Sequence, residues 1–420
     1  MRVTASGGFI LKISKLLIIL FAASILMEAC SKKEPKYQRM PINVYLRRLS
    51  GEREATVDRA KTAIIAMGKD AVPFLLKDWR KKKTSLKKKY ILADIFGGIG
   101  PSAEAAVPEL IAALEIIDEE MVQHAAAALG GIGPASAAAT PKLSSLLRSS
   151  DYSTQVGLLK GLGGIGPAAS EAIPLMLEAA KREKTRSEAI AALGKMGPKV
   201  VDALGVWLES DNTTEKFIAC EILANAGENA VAALPYLVKA LNDKDARIRI
   251  AAVRAIGGTG PKAVGVMDEL VMMLKDRESD VRSESISAIA GIGSNLAGDR
   301  MIAALNDPNP RIREGAIRVM IRWSSVLASA KSRLISRLGD SDVLVQLAAT
   351  DGLTGIGPEV IPSMIKLLDS DNVMKRFGAA RVLGNLGKAA RSAVPKLKVA
   401  IKDKDSLVRE EANKALQKIM

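Results

Sequence analysis

The sequence predicts an all-α chain built from repeated helix pairs, and three observations carry that prediction. A glycine recurs every 30 to 33 residues, an apolar residue stands four places before it, and prolines follow it at set distances. The composition agrees: 48% of residues are hydrophobic but only 3% are aromatic. Small aliphatic side chains suit close helix–helix contact better than they suit a base-stacking surface.

The first element is not part of that pattern. Arg2, Lys12 and Lys15 precede an apolar run from Leu16 to Ala23 that resumes after Ser24. A basic start followed by an apolar stretch of about a dozen residues matches a signal peptide and is short for a spanning helix of about 20 residues. Residues 1–29 are therefore expected to be a signal peptide, and residues 30–39 a flexible polar tether. Residues 40–420 hold the repeats.

The recurring glycines are Gly68, Gly100, Gly133, Gly166, Gly197, Gly227, Gly260, Gly293, Gly357 and Gly387, with Ser325 in the one gap. Four places earlier lie Ile64, Phe96, Leu129, Leu162, Leu193, Leu223, Ile256, Ile289, Leu353 and Leu383. That register reads as the apolar stripe of a helix that ends at the glycine, where a left-handed backbone closes the last turn. A proline directly after the glycine, as at Pro101, Pro134 and Pro167, prevents continuation. A second proline eight places on, as at Pro108, Pro141 and Pro174, suits the first turn of the next helix. An acid 15 or 16 places before the glycine, such as Asp211, Asp245 and Asp371, is placed to cap the second helix, and Asp405 keeps that place in the last unit. A basic residue follows one turn later at Arg249, Arg282, Arg376 and Arg409. These acids and arginines are expected to form a structural ladder within or between units. The stretch 294–325, with RWSSVLASA in place of the glycine–proline corner, is where regular stacking is expected to break down.

Phrases such as IRIAAVRAIGGTG (248–260) and KRFGAARVLGNLG (375–387) resemble bacterial HEAT-like repeats of the lyase-associated kind, over about residues 40–420. The resemblance implies a right-handed α-solenoid of about 12 HEAT-like helix pairs whose second helices line a concave face. Leu26-Met27-Glu28-Ala29-Cys30 is similar to the lipobox of bacterial lipoproteins, although Met27 and Glu28 depart from its usual small-residue pattern. That similarity implies cleavage before Cys30, lipid on its sulfur and amino group, and, from Ser31, sorting to the outer membrane.

Residue counts exclude several chemistries. The chain has one histidine, His124, and two cysteines, Cys30 and Cys220, so a metal site of several His or Cys ligands cannot be assembled. No cofactor is implied. GGIGP follows a helix and lacks the Lys-Ser/Thr of a phosphate loop. His124 lies off the apolar stripe and is read as a surface residue. The tryptophans Trp79, Trp207 and Trp323 stand in distant units, unlike the clustered Trp and Asp of HEAT-like DNA glycosylases. Nucleic acid is therefore not expected as a partner.

The net charge is +15. Its densest source is DWRKKKTSLKKKY, with Arg80, Lys81, Lys82, Lys83, Lys87, Lys88 and Lys89 as candidates for an anion- or partner-binding surface. The expected function is a non-enzymatic, lipid-anchored scaffold in the bacterial cell envelope. It would bind a protein or peptide, including an acidic one, along its concave face. A lyase-type repeat enzyme and a binder of anionic envelope polymers or lipids are the alternatives.

Overall fold

The computed structural model describes residues 34–51 and 53–420. The signal peptide and Cys30 lie outside the described residues. Structure begins within the stretch assigned to the tether: β1 (Lys36–Tyr37) and β2 (Met40–Pro41) pair antiparallel. Gln38 and Arg39 turn between them with φ of 48° and 66°, as a tight primed hairpin turn requires. The hairpin is held because Tyr37 and Tyr45 meet edge to face, and the Tyr45 hydroxyl donates to the Tyr37 carbonyl.

The remaining described residues form helices in pairs. The early ones are α1 (Ile42–Arg48) with α2 (Glu54–Ala66), α3 (Val72–Trp79) with α4 (Leu86–Ile99), and α5 (Val107–Ala113) with α6 (Glu119–Ile132). Next come α7 (Thr140–Ser149) with α8 (Tyr152–Ile165), α9 (Ile173–Lys181) with α10 (Arg186–Gly194), and α11 (Lys199–Glu209) with α12 (Thr213–Ala226). These are followed by α13 (Leu234–Ala240) with α14 (Ala246–Gly258), α15 (Met267–Met273) with α16 (Ser279–Ile292), and α17 (Ser294–Ala304) with α18 (Pro310–Ile321). The last are α19 (Ser324–Ser329) and α20 (Lys331–Arg337) with α21 (Val343–Ile356), α22 (Ile361–Leu367) with α23 (Val373–Leu386), and α24 (Val394–Ala400) with α25 (Ser406–Ile419). The chain is thus an all-α solenoid of helix pairs. It falls into two compact units that divide between Ala192 and Leu193, within α10.

Each pair is made the same way. The second helix buries the residue four before the recurring glycine; Leu129, Leu162, Ile256 and Leu383 are all fully buried. At Gly166 the backbone turns to φ 69°, and every recurring glycine takes a positive φ. A 3₁₀ segment, Gly166–Ala172 in that unit, then leads into α9 with Pro174 in its first turn. The first proline therefore starts a 3₁₀ corner instead of merely ending a helix.

The glycines just before the corner have a different role. In the first unit the second helices α4, α6 and α8 lie so close that there is no room for side chains. A Cβ on Gly131 would come 2.5 Å from the Gly97 carbonyl oxygen, and one on Gly164 would come 2.5 Å from the Gly130 Cα. Doubled glycines permit backbone-to-backbone packing that any larger residue prevents.

The 3₁₀ corner is absent after Gly197, where a turn leads into α11, and again at the stretch marked by its sequence. Gly293 (φ 102°) leads straight into α17 with no 3₁₀ segment. One unit later, Trp323 occupies the corner, buried, with its indole N–H donating to the Ala290 carbonyl at 3.3 Å. The helix that follows is split at Ala330 into α19 and α20.

The glycine contact yields a stability prediction. Gly131→Ala or Gly164→Ala is expected to destabilise the chain by about 1–3 kcal/mol through overpacking, measured by urea unfolding. Gly265→Ala is the contrast. Gly265 has nothing within 4 Å of an added Cβ, so the change should leave stability within about 1 kcal/mol.

Candidate functional site

The arginine one turn into the second helix is bonded at both ends. Arg249 donates through Nη1 to the carbonyls of Asp243 and Lys244, sealing its own inter-helix turn. Its Nε and Nη2 make a two-point bond, each at 2.8 Å, to the carboxylate of Asp276 in the next pair. Arg313 with Asp340 and Arg376 with Asp403 repeat the arrangement, 27 residues apart each time. Lys216 takes the same place toward Asp243.

The accepting acids differ from the ones read off the sequence. Asp245 and Asp405 cap α14 and α25. Asp211 and Asp371 cap nothing, because Asn212 and Asn372 accept the first-turn amides of α12 and α23 instead. None of these four carboxylates receives a ladder arginine; those of Asp245 and Asp405 are turned onto their own helices as caps. The receiving acids stand two places before the cap, at the end of the preceding turn, where they face the neighbouring unit. The receiving acids lie in D-x-D or D-x-E phrases at 243–245, 276–278, 340–342 and 403–405, whose first Asp also accepts the backbone N–H two residues on; the D-x-N at 307–309 has the same turn but receives no arginine from the preceding pair.

Arg282 and Arg409 keep only part of the pattern. Each holds the carbonyls of its own turn. Neither forms an ion pair among the described residues. For Arg282 the cause is register: Asp307 follows it two residues too soon, because the missing corner shortens that unit.

Burial sets the protonation of this ladder. Desolvation alone would raise Asp340, but the bonds from Arg313, the Asp342 amide and Arg337 outweigh it and hold the carboxyl below its usual range. Desolvation likewise opposes, and the Arg249 bond overcomes, in Asp276. In Asp403 the bond from Arg376 is the largest influence and lowers it directly.

The solvent-facing sides of the second helices carry a second network. In the first unit, Lys61 and His124 converge on Asp94 from neighbouring helices, at 2.8 and 2.6 Å. The His124 ring stacks on Tyr90, centroids 5.0 Å apart, and the Tyr90 hydroxyl donates to Asp118. That bond, with burial and the nearby negative charge, pushes the Tyr90 phenol up to about 12. In the second unit, Arg254 bridges Glu221 and Glu284 at 3.1 and 3.5 Å.

The basic run divides in two. Arg80 pairs with Glu109 of the next pair, and Lys81 and Lys88 converge on the buried Asp78 at 2.6 and 2.7 Å. The ammonium of Lys89 sits 5.5 Å from the centre of the Trp79 ring, which is buried beside Phe96. Lys82, Lys83 and Lys87 are exposed. Cys220 is fully buried, and that burial, followed by the Glu221 and Asp243 charges, pushes its thiol up to about 12. Clefts of about 210 Å³ beside Asn295 and Ser325, and of about 570 Å³ over Arg249 and Asp276, are lined by neither His124 nor a tryptophan.

Residues 201–290 and 331–417 match the model for HEAT repeats. Both stretches carry a complete arginine–aspartate pair, and the irregular corner at Trp323 falls between them. No curated protein matches the chain. Among solved structures, an engineered protein is 23% identical, with 90% of this chain and 98% of that one covered and a TM-score of 0.30. The karyopherin Kap121p bound to Pho4p is 13% identical, with 94% and 51% covered and a TM-score of 0.44. The same karyopherin bound to the extreme C-terminus of the protein phosphatase Cdc14p is 14% identical, with 99% and 53% covered and a TM-score of 0.42. The chain spans about half the length of those karyopherins.

The ladder yields a pH prediction. A carboxyl lowered on folding adds stability above its unfolded value of about 4, and that stability disappears as pH falls toward the folded value. Unfolding free energy is therefore expected to fall steadily below about pH 5, and less steeply in Asp340→Asn. Asp340→Ala, which strands the buried Arg313 guanidinium, is expected to cost about 3–5 kcal/mol. Arg247→Ala, at an exposed pair, should cost at most about 1 kcal/mol.

Proposed function

We propose that this chain is a lipid-anchored, non-catalytic scaffold of the bacterial cell envelope. In this reading it binds a protein or peptide partner along its concave face, through the solvent-facing sides of its second helices. The observation that carries it is the pre-ordered polar surface on those sides. Lys61–Asp94–His124 and Glu221–Arg254–Glu284 each join residues of three successive second helices. Side chains already held in place lose little entropy on binding, so many modest contacts can add up along an extended surface. The anchor rests on Cys30 and the apolar run before it, with the outer membrane as the destination that Ser31 suggests.

Two experiments test the proposal. Cys30→Ala is expected to block processing and release the protein from the membrane fraction; unchanged processing and fractionation would remove the anchor. Partners captured from intact envelopes and identified by mass spectrometry should be lost on Arg254→Glu, with thermal unfolding of the variant within a few degrees of the parent. Arg254 is half exposed and its pairs are surface pairs, so the fold should tolerate the change. A partner retained by that variant, and by Lys61→Glu, would overturn the second-helix face as the binding surface.

A further inference from the structure

We infer that the turn between α3 and α4 is a docking site for an acidic peptide segment, presented on the edge of the first unit opposite to where the chain from Cys30 joins it. The inference rests on the scaffold reading above and assigns one surface and one partner chemistry to it.

The turn is built to hold its shape. Asp78 is buried and anchors it three ways: its carboxylate takes Lys81 and Lys88, and its carbonyl accepts the Thr84 hydroxyl at 2.6 Å. The Thr84 amide closes the turn on the Lys81 carbonyl at 3.0 Å. Arg80 is tied to Glu109, and Lys89 lies over Trp79. Four of the seven cations therefore fix the turn, and Lys82, Lys83 and Lys87 project from it with no acid paired to them among the described residues. Arg53, at the equivalent turn of the preceding pair, is also exposed.

Stability does not account for these three lysines. Lys87 lies in the first turn of α4, which holds no acidic residue, so its charge meets the positive end of the helix dipole. A carboxylate-bearing partner would relieve that repulsion.

Helix direction separates this edge from the bilayer. The chain enters at the N-terminal end of α1: the Ile42 amide donates to the Pro35 carbonyl and the Asn43 amide to Glu34 Oε1. First helices of successive pairs run the same way, so the lysine turn lies at the far end of α3, an eight-residue helix about 12 Å long. Glu34 is four residues from Cys30, about 14 Å of extended chain at most. A short link at one edge holds that edge toward the membrane and leaves the lysine edge turned toward other proteins.

The test uses the full chain in neutral detergent micelles, with a fluorescent decaglutamate peptide read by anisotropy. Binding is expected to weaken as salt rises, and to weaken by about tenfold or more in Lys82→Glu/Lys83→Glu/Lys87→Glu. Lys388→Glu/Lys398→Glu/Lys402→Glu, an equal charge change on exposed lysines of the second unit, should bind as the parent does. Circular dichroism confirms that both variants are folded. Equal weakening in the two triple variants would reduce the site to net charge and overturn it. So would loss of peptide binding to micelles containing phosphatidylglycerol, which would show a lipid-headgroup site. If the first triple variant still captures the envelope partner that Arg254→Glu loses, this docking site fails and the scaffold reading stands.

Discussion

Arg249, Arg313 and Arg376 each have two obligations that only a correctly stacked neighbour can satisfy together. The Nη1 of each closes the turn of its own pair, and its other edge grips a carboxylate 27 residues further along. A guanidinium is suited to this because it is planar, always charged and offers donors on separate edges. The bond fixes more than distance. A two-point contact resists rotation, so one buried pair sets how a helix pair turns against the next. The apolar stripe supplies the driving force for stacking, but apolar surfaces slide; the ion pair specifies the register.

The first unit lacks the buried arginine–aspartate pairs among its described residues and adds shape to its half-exposed ion pairs. Its second helices approach until glycine meets backbone, at Gly97 with Gly131 and at Gly130 with Gly164. Such contacts are set by shape and are indifferent to salt and proton concentration. The second unit combines some close glycines, such as Gly257 against Ala288, with buried ion pairs whose acids are all held below their usual range. One repeat pattern thus gives two compact units that answer differently to acid.

What the sequence made legible follows from what each feature depends on. The recurring glycine was readable because its role is a single backbone angle, decided locally. The fully buried Leu162 and Ile256 were readable because burial imposes a period. The ladder was half readable: Arg249 and Arg376 stood out, but Asp245 and Asp405 looked like their partners when the acceptors are Asp276 and Asp403. Two acids separated by one residue are indistinguishable by composition, and only the geometry of the turn decides which faces the neighbour. The lysine run misled in a similar way. Seven cations in one phrase read as one surface, and a single buried acid, Asp78, takes two of them into the fold. The hairpin at Lys36–Pro41 was missed because its turn residues, Gln38 and Arg39, carry none of the usual turn signals.

The shortened stretch after Gly293 has a mechanical consequence. In a linear array each interface bears load in series with the others, so the softest one yields first. Arg282 has lost its place opposite Asp307 by two residues, and the neighbouring interfaces on either side retain theirs. Under tension or during thermal breathing, the second unit should part there before it unravels from an end. A filament of identical links frays at its tips; one missing fastener gives this one an internal hinge line, with intact blocks on both sides that can close again in register.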